Sequence, residues 1–315
     1  MRYYAVVDLG TNSARLMIAY VASDAVVSVY KTLRMIRIGE EMVGKRHISA
    51  VAMVRTKRTL HEFMEIARQY GAEGCFYCFA TSAVREAENK QEFIDYIRRE
   101  CGILVEILSG VTEAIFGFAG SVETQGGMFD IGGGSTEVIF GKLSDIRFRH
   151  SYKIGTVRFL QMFPAADDAD PETFKKAHEL ARNTFAAIPN TGDCIFTGIG
   201  GTATALAAID LGLKEYLAER VQGHEISIQR AKELCIMLEG KTKKQRTKMI
   251  GLDEKRADVI VFGAIILLEF MKAVDAEKIK VSDSDSQEGY LAHKLGIIQI
   301  APCQNIPDIL PPSVC

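Results

Sequence analysis

Two aspartates, each closing an apolar run and each followed by glycine and hydroxyl side chains, are the residues of this sequence best placed to do chemistry. The first stands in Asp8-Leu9-Gly10-Thr11-Asn12-Ser13, the second in Asp130-Ile131-Gly132-Gly133-Gly134-Ser135-Thr136. A strand that ends in Asp delivers a carboxylate to the edge of a sheet, and the turn after it presents backbone N–H groups and hydroxyls that can cradle phosphate oxygens. Carboxylate beside phosphate implies a divalent cation. Three successive glycines in the second turn remove the side chains that would hold a phosphate off the backbone. A third segment, Gly198-Ile199-Gly200-Gly201-Thr202, runs from strand into helix and adds helix N-terminal donors. Any one of these loops serves equally well as a plain turn, since hairpins need Gly and Asn whatever they bind. Three in succession point to phosphate.

Such loops need a sheet to present them. With 315 residues, 48% apolar and 25% charged, the chain can bury a core for one large domain or two ordinary ones. A formal charge of -2 excludes a global attraction to nucleic acid or to a membrane surface, so an anion must be met locally. The apolar run that ends at Asp8 is too short for a signal-peptide core or a membrane span. Val259 to Leu268, stopped by Glu269, reads as a buried helix. Seven cysteines, an odd number in a long chain, fit reduced thiols and a cytoplasmic location. The CxxC pair Cys75 and Cys78 lies in CFYCFA, a buried strand by pattern, and lacks the second pair a zinc or redox site would need.

Along the chain, YYAVVDL and ARLMIAYVA read as strands joined by the turn GTNS, with Asp24 breaking the second. Helical spacing over 51–70, the strand CFYCFA, a polar turn TSAVREAEN, a helix over 91–100 and the strand LVEIL follow. After a Gly-rich break at Gln125-Gly126-Gly127, MFDIGGGSTEVIFG repeats VVDLGTNSARLMIA with Asp130 in the place of Asp8. Then come a helix over 171–187 capped by Asp170 and Pro171, the strand CIFTGIG, a helix opened by the GGT turn, and helices near 227–238 and 257–273. Strand alternating with helix, twice over, predicts an α/β protein of two similar domains, 1–123 and 124–296, facing each other across a cleft. The hinge is expected near 120–127, and the proline-rich tail 297–315 on the surface or across the first domain.

DLGTNS, DIGGGST and GIGGT, in this order, resemble the first phosphate, second phosphate and nucleotide-side motifs of the actin, sugar-kinase and seventy-kilodalton heat-shock chaperone superfamily. Within it, TSAVREAEN, LSGVTEA, DIGGGSTE, GIGGTATALAAI and RADVIVFGAIIL resemble the exopolyphosphatase and guanosine pentaphosphate phosphohydrolase (Ppx/GppA) family over residues 1–296, since kinases and chaperones lack the SAVREA and SGxxEA elements. The resemblance implies two actin-like (ribonuclease H-like) domains and a cytoplasmic hydrolase that removes terminal phosphate from inorganic polyphosphate, guanosine pentaphosphate or both. It implies Mg²⁺ or another divalent cation at Asp8 and Asp130, directly or through water. Glu113 matches the family's water-activating base, and Glu137 an acid that positions that water or the metal. Asn12, Ser13, Arg85, Gly132, Gly133, Gly134, Ser135, Gly200, Gly201 and Thr202 would hold substrate. Guanosine tetraphosphate is a further ligand of this class. No nucleic-acid or membrane partner is implied, and a homodimer stays open.

Two departures from the family pattern stand out. Thr112 takes the first of the usual paired acids in SGxEEA, leaving Glu113 alone, and Gln287 replaces the usual Arg near the C-terminus. The chain also resembles the short form, ending before the helical C-terminal domains of longer members. Two alternatives follow: an actin-fold kinase acting on a small metabolite, and an alarmone-binding sensor with weak turnover. The family's general base separates the first, and the departures keep the second. Arg85 could instead pair on the surface with Glu86 or Glu88, and Arg15 could face either the cleft or outward. The basic run Lys241 to Lys248 is a candidate polyanion attractor, with a solvated helix connection as its default reading. The six histidines show no metal-ligand spacing.

Overall fold

β-Branched and aromatic residues at the start of the chain form strands, as expected, and the strands form a frame that is then repeated. The structure, a computed structural model, describes residues 2–40, 42, 46–122, 125–164 and 170–298. In the first sheet, β1 (Tyr3–Leu9), β2 (Ser13–Ala22), β3 (Ala25–Met35), β4 (Phe76–Ala80) and β5 (Val105–Ile107) are ordered β3-β2-β1-β4-β5. Around them lie α1 (Ala50–Gln69), α2 (Ser82–Glu86), α3 (Lys90–Cys101) and α4 (Gly110–Ser121). The second sheet contains β6 (Gln125–Ile131), β7 (Thr136–Lys142), β8 (Asp145–Tyr152), β9 (Phe196–Ile199), β10 (Glu225–Ser227) and β11 (Lys278–Val281), ordered β10-β11-β9-β6-β7-β8. Its helices are α5 (Thr156–Met162), α6 (Pro171–Phe185), α7 (Gly200–Asp210), α8 (Ala218–Val221), α9 (Ile228–Glu239), α10 (Lys243–Arg246) and α11 (Ile260–Ala273), and the chain then continues into α12 (Ser286–Lys294).

The repeat read from the sequence is present in hydrogen-bond detail. β1 pairs antiparallel with β2 and parallel with β4, and β6 pairs antiparallel with β7 and parallel with β9. Both first turns close in the same way, Gly10 N–H donating to Ser13 O at 3.0 Å and Gly132 N–H to Ser135 O at 2.9 Å. In matching register, Asp8 faces Arg15 across its hairpin and Asp130 faces Glu137 across the other.

Asp24 follows the end of β2 as expected, and Ser23 and Asp24, with φ of 47° and 61°, form a two-residue hairpin that leads into the unforeseen β3. Three local expectations are corrected. TSAVREAEN contains the short helix α2 instead of a turn alone. The Gly-rich stretch at 125–127 is no break but the start of β6; a Cβ on Gly127 would lie 2.3 Å from the Phe196 ring, so the glycine makes room for a neighbouring strand's aromatic. Of the expected hinge, α4 occupies residues up to Ser121 and β6 those from Gln125, while 123–124 lie outside the described residues. Residues 299–315 of the expected surface tail lie outside the described residues too. In the basic run, finally, Arg246 is fully buried and Thr242 with Gln245 forms a capping box, so the segment folds inward at its centre.

α4 is packed on both sides. Ala114, Ile115 and Phe118 bury against Met128, Ile139 and Ile199 of the second sheet. Phe116 points the other way and joins Val6, Met17, Phe79, Tyr290 and Leu291. The last helix, α12, thus returns from the second half of the chain to cover the first sheet. Burying each such aromatic contributes about 1.5–3 kcal/mol. Among the described residues no helix is long and apolar enough to cross a membrane.

Where α12 crosses α4 the backbones touch: a Cβ on Gly289 would lie 2.0 Å from the carbonyl oxygen of Phe116. Gly289→Ala is therefore expected to destabilise the fold by about 1–3 kcal/mol through overpacking. Gly74→Ala, where nothing lies within 4 Å of the new methyl, should leave the urea denaturation midpoint unchanged. Equal midpoints for the two variants would contradict this packing.

Candidate active site

The three glycine-bearing turns meet at one pocket of about 80 Å³ between the two sheets. Asp8, Asn12, Ser13, Glu113, Asp130, Gly132, Gly133, Gly134, Ser135, Gly200, Gly201 and Thr202 line it. Of the residues expected from sequence, Arg85 and Glu137 stand just behind this wall: Arg85 Nη1 donates to Glu113 Oε2 at 3.0 Å and to Leu108 O at 2.9 Å, and Ser151 Oγ donates to Glu137 Oε1 at 2.6 Å. Arg85 pairs with neither Glu86 nor Glu88; Glu86 instead accepts from Arg158 at 2.7 Å. Arg15 faces the cleft. Its Nη2 lies 2.5 Å from Asp8 Oδ2, and its Nη1 pairs with Asp285, the N-cap of α12.

Local chain geometry explains each placement. Ser109 caps α4 by accepting from Thr112 N–H at 3.0 Å, which puts Glu113 in the first turn, where the helix dipole favours an acid. The N–H groups of Thr11, Asn12, Gly133 and Gly134 make no hydrogen bond among the described residues, so the paired turns present free donors. The glycines of the second turn have a further role beyond exposing backbone. A Cβ on Gly133 would lie 2.9 Å from Thr11 Cβ, and one on Gly134 would lie 2.6 Å from Ser82 Oγ, so they let the two lobes close on each other. Gly200 opens α7 at φ 74°, a conformation that favours glycine, and a Cβ there would collide with Asp130 Oδ1 at 2.3 Å.

Sequence reasoning missed Thr11, Ser82 and Arg256, which also line the pocket. Thr11 sits inside a motif already singled out, whereas Arg256 lies in RADVIVFGAIIL, a segment noted for its family likeness and never for its charge. The departure at Gln287 is structural: the side chain is buried, donating to Val6 O at 2.7 Å and Arg15 O at 3.3 Å. Beyond Arg15, Gly200, Gly201 and Arg256 the pocket opens into a chamber of about 740 Å³, walled by Leu33, Ala205, Leu213, Tyr216 and Ile250, with Lys31, Lys214 and Lys248 at its polar edges.

Four carboxyls therefore share one enclosed space. Burial pushes Asp130 up to about 8, with Arg15 opposing and Glu113, Asp285 and Asp8 adding to the rise. Burial, then the charge of Asp130, pushes Glu137 to about 7 against the hydrogen bond from Ser151. Glu113 is raised well above the usual carboxylate range by burial and by Glu137, with Arg85 opposing. Asp8 is raised by burial against the pull of Arg15. Asp8 Oδ1 is buried with no hydrogen-bond partner among the described residues. An all-oxygen donor set with surplus negative charge and an unsatisfied carboxylate oxygen, with Asp8 and Asp130 as the donors, fits the chemistry of a hard divalent cation.

The sequence model of the Ppx/GppA phosphatase family matches residues 17–297. The chain is 30% identical over 312 residues to a bifunctional 3-dehydroquinate synthase/phosphatase of Fusobacterium nucleatum, covering 90% of this chain and 45% of that protein, so it spans less than half of that relative. It is 28% identical over 308 residues to exopolyphosphatase 2 of Mycobacterium tuberculosis, covering 90% and 96%. Among solved structures, an exopolyphosphatase from Cytophaga hutchinsonii superposes with a TM-score of 0.85 at 27% identity, covering 96% of this chain and 100% of that one. A Ppx/GppA family member from Aquifex aeolicus gives 0.76 at 26%, covering 93% and 97%. The α/β fold with actin-like sheets expected from the sequence is the fold of this chain.

The raised carboxyls give a pH signature. Unfolded, these acids ionise near pH 4, whereas in the cation-free fold they keep protons until about pH 7 to 8. The folded state then binds more protons across that window, and the cluster's contribution to stability falls as pH rises through it. A divalent cation should reverse the trend, raising the thermal midpoint more at pH 8 than at pH 6. Asp130→Asn should abolish most of that cation response while stabilising the cation-free protein at pH 8. A cation response independent of pH and of Asp130 would refute the assignment.

Proposed function

The chain belongs to the Ppx/GppA phosphatase family, and we propose that it hydrolyses the terminal phosphoanhydride of inorganic polyphosphate or guanosine pentaphosphate, with Mg²⁺ or another divalent cation. The observation that carries this reading is the convergence of three carboxyls, Asp8, Glu113 and Asp130, and three glycine-bearing turns on a single pocket, with Glu137 just behind its wall. The free N–H groups of the paired turns, with Asn12, Ser13 and Ser135, would hold the oxygens of the terminal phosphate, and Gly200 to Thr202 those further along. Asp8 and Asp130 would hold the cation, which when bound neutralises charge developing on the transferred phosphoryl group.

Glu113 is the base. A carboxylate whose proton affinity is lifted toward neutrality can accept a proton from water as the water oxygen forms its bond to the terminal phosphorus and the bridging P–O bond breaks, leaving the shortened anhydride and inorganic phosphate. Arg85 would orient Glu113 from behind, and Glu137, fixed by Ser151, would orient the water or the cation's ligands. The relative named an exopolyphosphatase, matched over nearly its whole length, supports polyphosphate. One observation favours the nucleotide as well: the chamber beyond the phosphate pocket falls within the 300–1,000 Å³ or so typical of ligand sites, and its apolar walls suit a base and ribose.

Glu113→Gln is expected to lower kcat by about 10²–10⁴-fold, with little change in KM. Phosphate release should be measured with Mg²⁺ on short polyphosphate, long polyphosphate and guanosine pentaphosphate. No release from any of the three sinks the hydrolase reading. Tight guanosine tetraphosphate binding without turnover would select the sensor instead, and ATP-dependent phosphorylation of an alcohol the kinase.

A further inference from the structure

Outside the cleft, three helices of the second lobe bring together residues far apart in sequence. His178 projects from α6, Cys235 and Glu239 from α9, and Glu269 from the end of α11. The spacing of Cys235 and Glu239, i and i+4, places both on one face of α9. His178 Nε2 lies 2.8 Å from Glu239 Oε1 and 3.9 Å from Cys235 Sγ, and Cys235 Sγ lies 3.5 Å from Glu239 Oε1. The ligating atoms of these three residues all fall within 4.8 Å of one another. None of the three lines the phosphate pocket or its chamber.

We propose that His178 Nε2, Cys235 Sγ and the Glu239 carboxylate form a second metal site, chemically distinct from the catalytic one and selective for Zn²⁺ or a similar borderline-soft cation.

The donor set decides the metal. Thiolate and imidazole select zinc-like ions, whereas the all-oxygen cleft suits a hard cation. Three protein ligands leave a fourth tetrahedral position for water, and the half-buried His178 and Glu239 give a path from solvent. Behind the imidazole, Nδ1 lies 2.8 Å from Glu269 Oε1, and Glu269 is itself held by Lys272 at 2.7 Å and Arg182 at 3.1 Å. A carboxylate fixing the far nitrogen of a ligating histidine is the usual outer arrangement of such sites.

Charge balances in both states. Without the ion, both ring nitrogens of His178 donate to carboxylate oxygens, of Glu239 and Glu269, while Arg182 and Lys272 offset Glu269. Binding a divalent cation expels two protons, one from Nε2 and one from the thiol, and leaves a neutral centre of M²⁺, thiolate and Glu239 carboxylate. The ion would tie α6 to α9 through a buried sulfur, which only cation binding turns from filler into ligand.

Cobalt(II) titration of untagged protein tests this, because a thiolate-to-cobalt charge-transfer band reports sulfur ligation and an all-oxygen site cannot give one. The parent should develop the band with about one equivalent of Co²⁺, and Zn²⁺ should erase it. Cys235→Ser should abolish it. Glu269→Gln should keep the band but weaken binding about 10–100-fold, as expected for an orienting partner. Glu239→Gln, at a half-buried position, provides a variant whose fold circular dichroism can verify. Absence of the band in the parent, its survival in Cys235→Ser, or unchanged cobalt affinity in a folded Glu239→Gln would each overturn the proposal and leave His178 as a protonated clamp between carboxylates.

Discussion

Asp8, Asp130, Glu113 and Glu137 are buried close together, and the cost of placing their charges out of water, with mutual repulsion added to it, is the constraint around which the rest of the cleft is arranged. Four carboxylates cannot all ionise in such a space unless positive charge is supplied. The fold supplies part of it through Arg15, bound to Asp8 and Asp285, and Arg85, bound to Glu113. The remainder is met by protons, and the carboxyls accordingly sit above their usual range. The residues proposed to hold a cation are the same ones that hold protons in its absence, which would tie ion binding and stability to one electrostatic balance.

Holding such a cluster in register needs rigid support on both sides, and α4 supplies it. One face of the helix is buried on the second sheet and the other on the first sheet through α12, so Glu113 at its N-terminus is positioned by both lobes at once. Ion pairs from Arg37 to Asp258 and from Arg158 to Glu86 span the same divide. Glycine at 133 and 134 allows the turns to approach until Thr11 and Ser82 meet the second lobe. The small size of the pocket between the turns is a result of this closeness.

What the sequence revealed and what it hid follow from the range of the interactions involved. The two aspartate turns were legible because their chemistry is local: a strand, a carboxylate, then glycine and hydroxyls within a few residues. Their duplication also showed, since the same pairing register recurs. Partners brought in from a distance did not show. Glu113 meets Arg85 across 28 residues, and Arg15 meets Asp285 across 270, so neither the direction of Arg15 nor the identity of its anchor could be read from neighbours. Glycine was ambiguous for the same reason: the stretch at 125–127 suggests a break, and the ring of Phe196 in the adjacent strand explains Gly127. His178 carried no visible spacing motif because its companions lie on another helix.

The duplicated hairpins are alike in backbone and opposite in sign at one position, where Arg15 faces Asp8 while Glu137 faces Asp130. A repeated backbone of this kind would ordinarily produce a near-twofold arrangement of charge. Exchanging a cation for an anion at that single cross-strand site makes the two walls of the cleft unlike: Arg15 is held between Asp8 and Asp285 on one, and Glu137 is held by Ser151 beside Asp130 on the other. A symmetric backbone therefore acquires two chemically different halves.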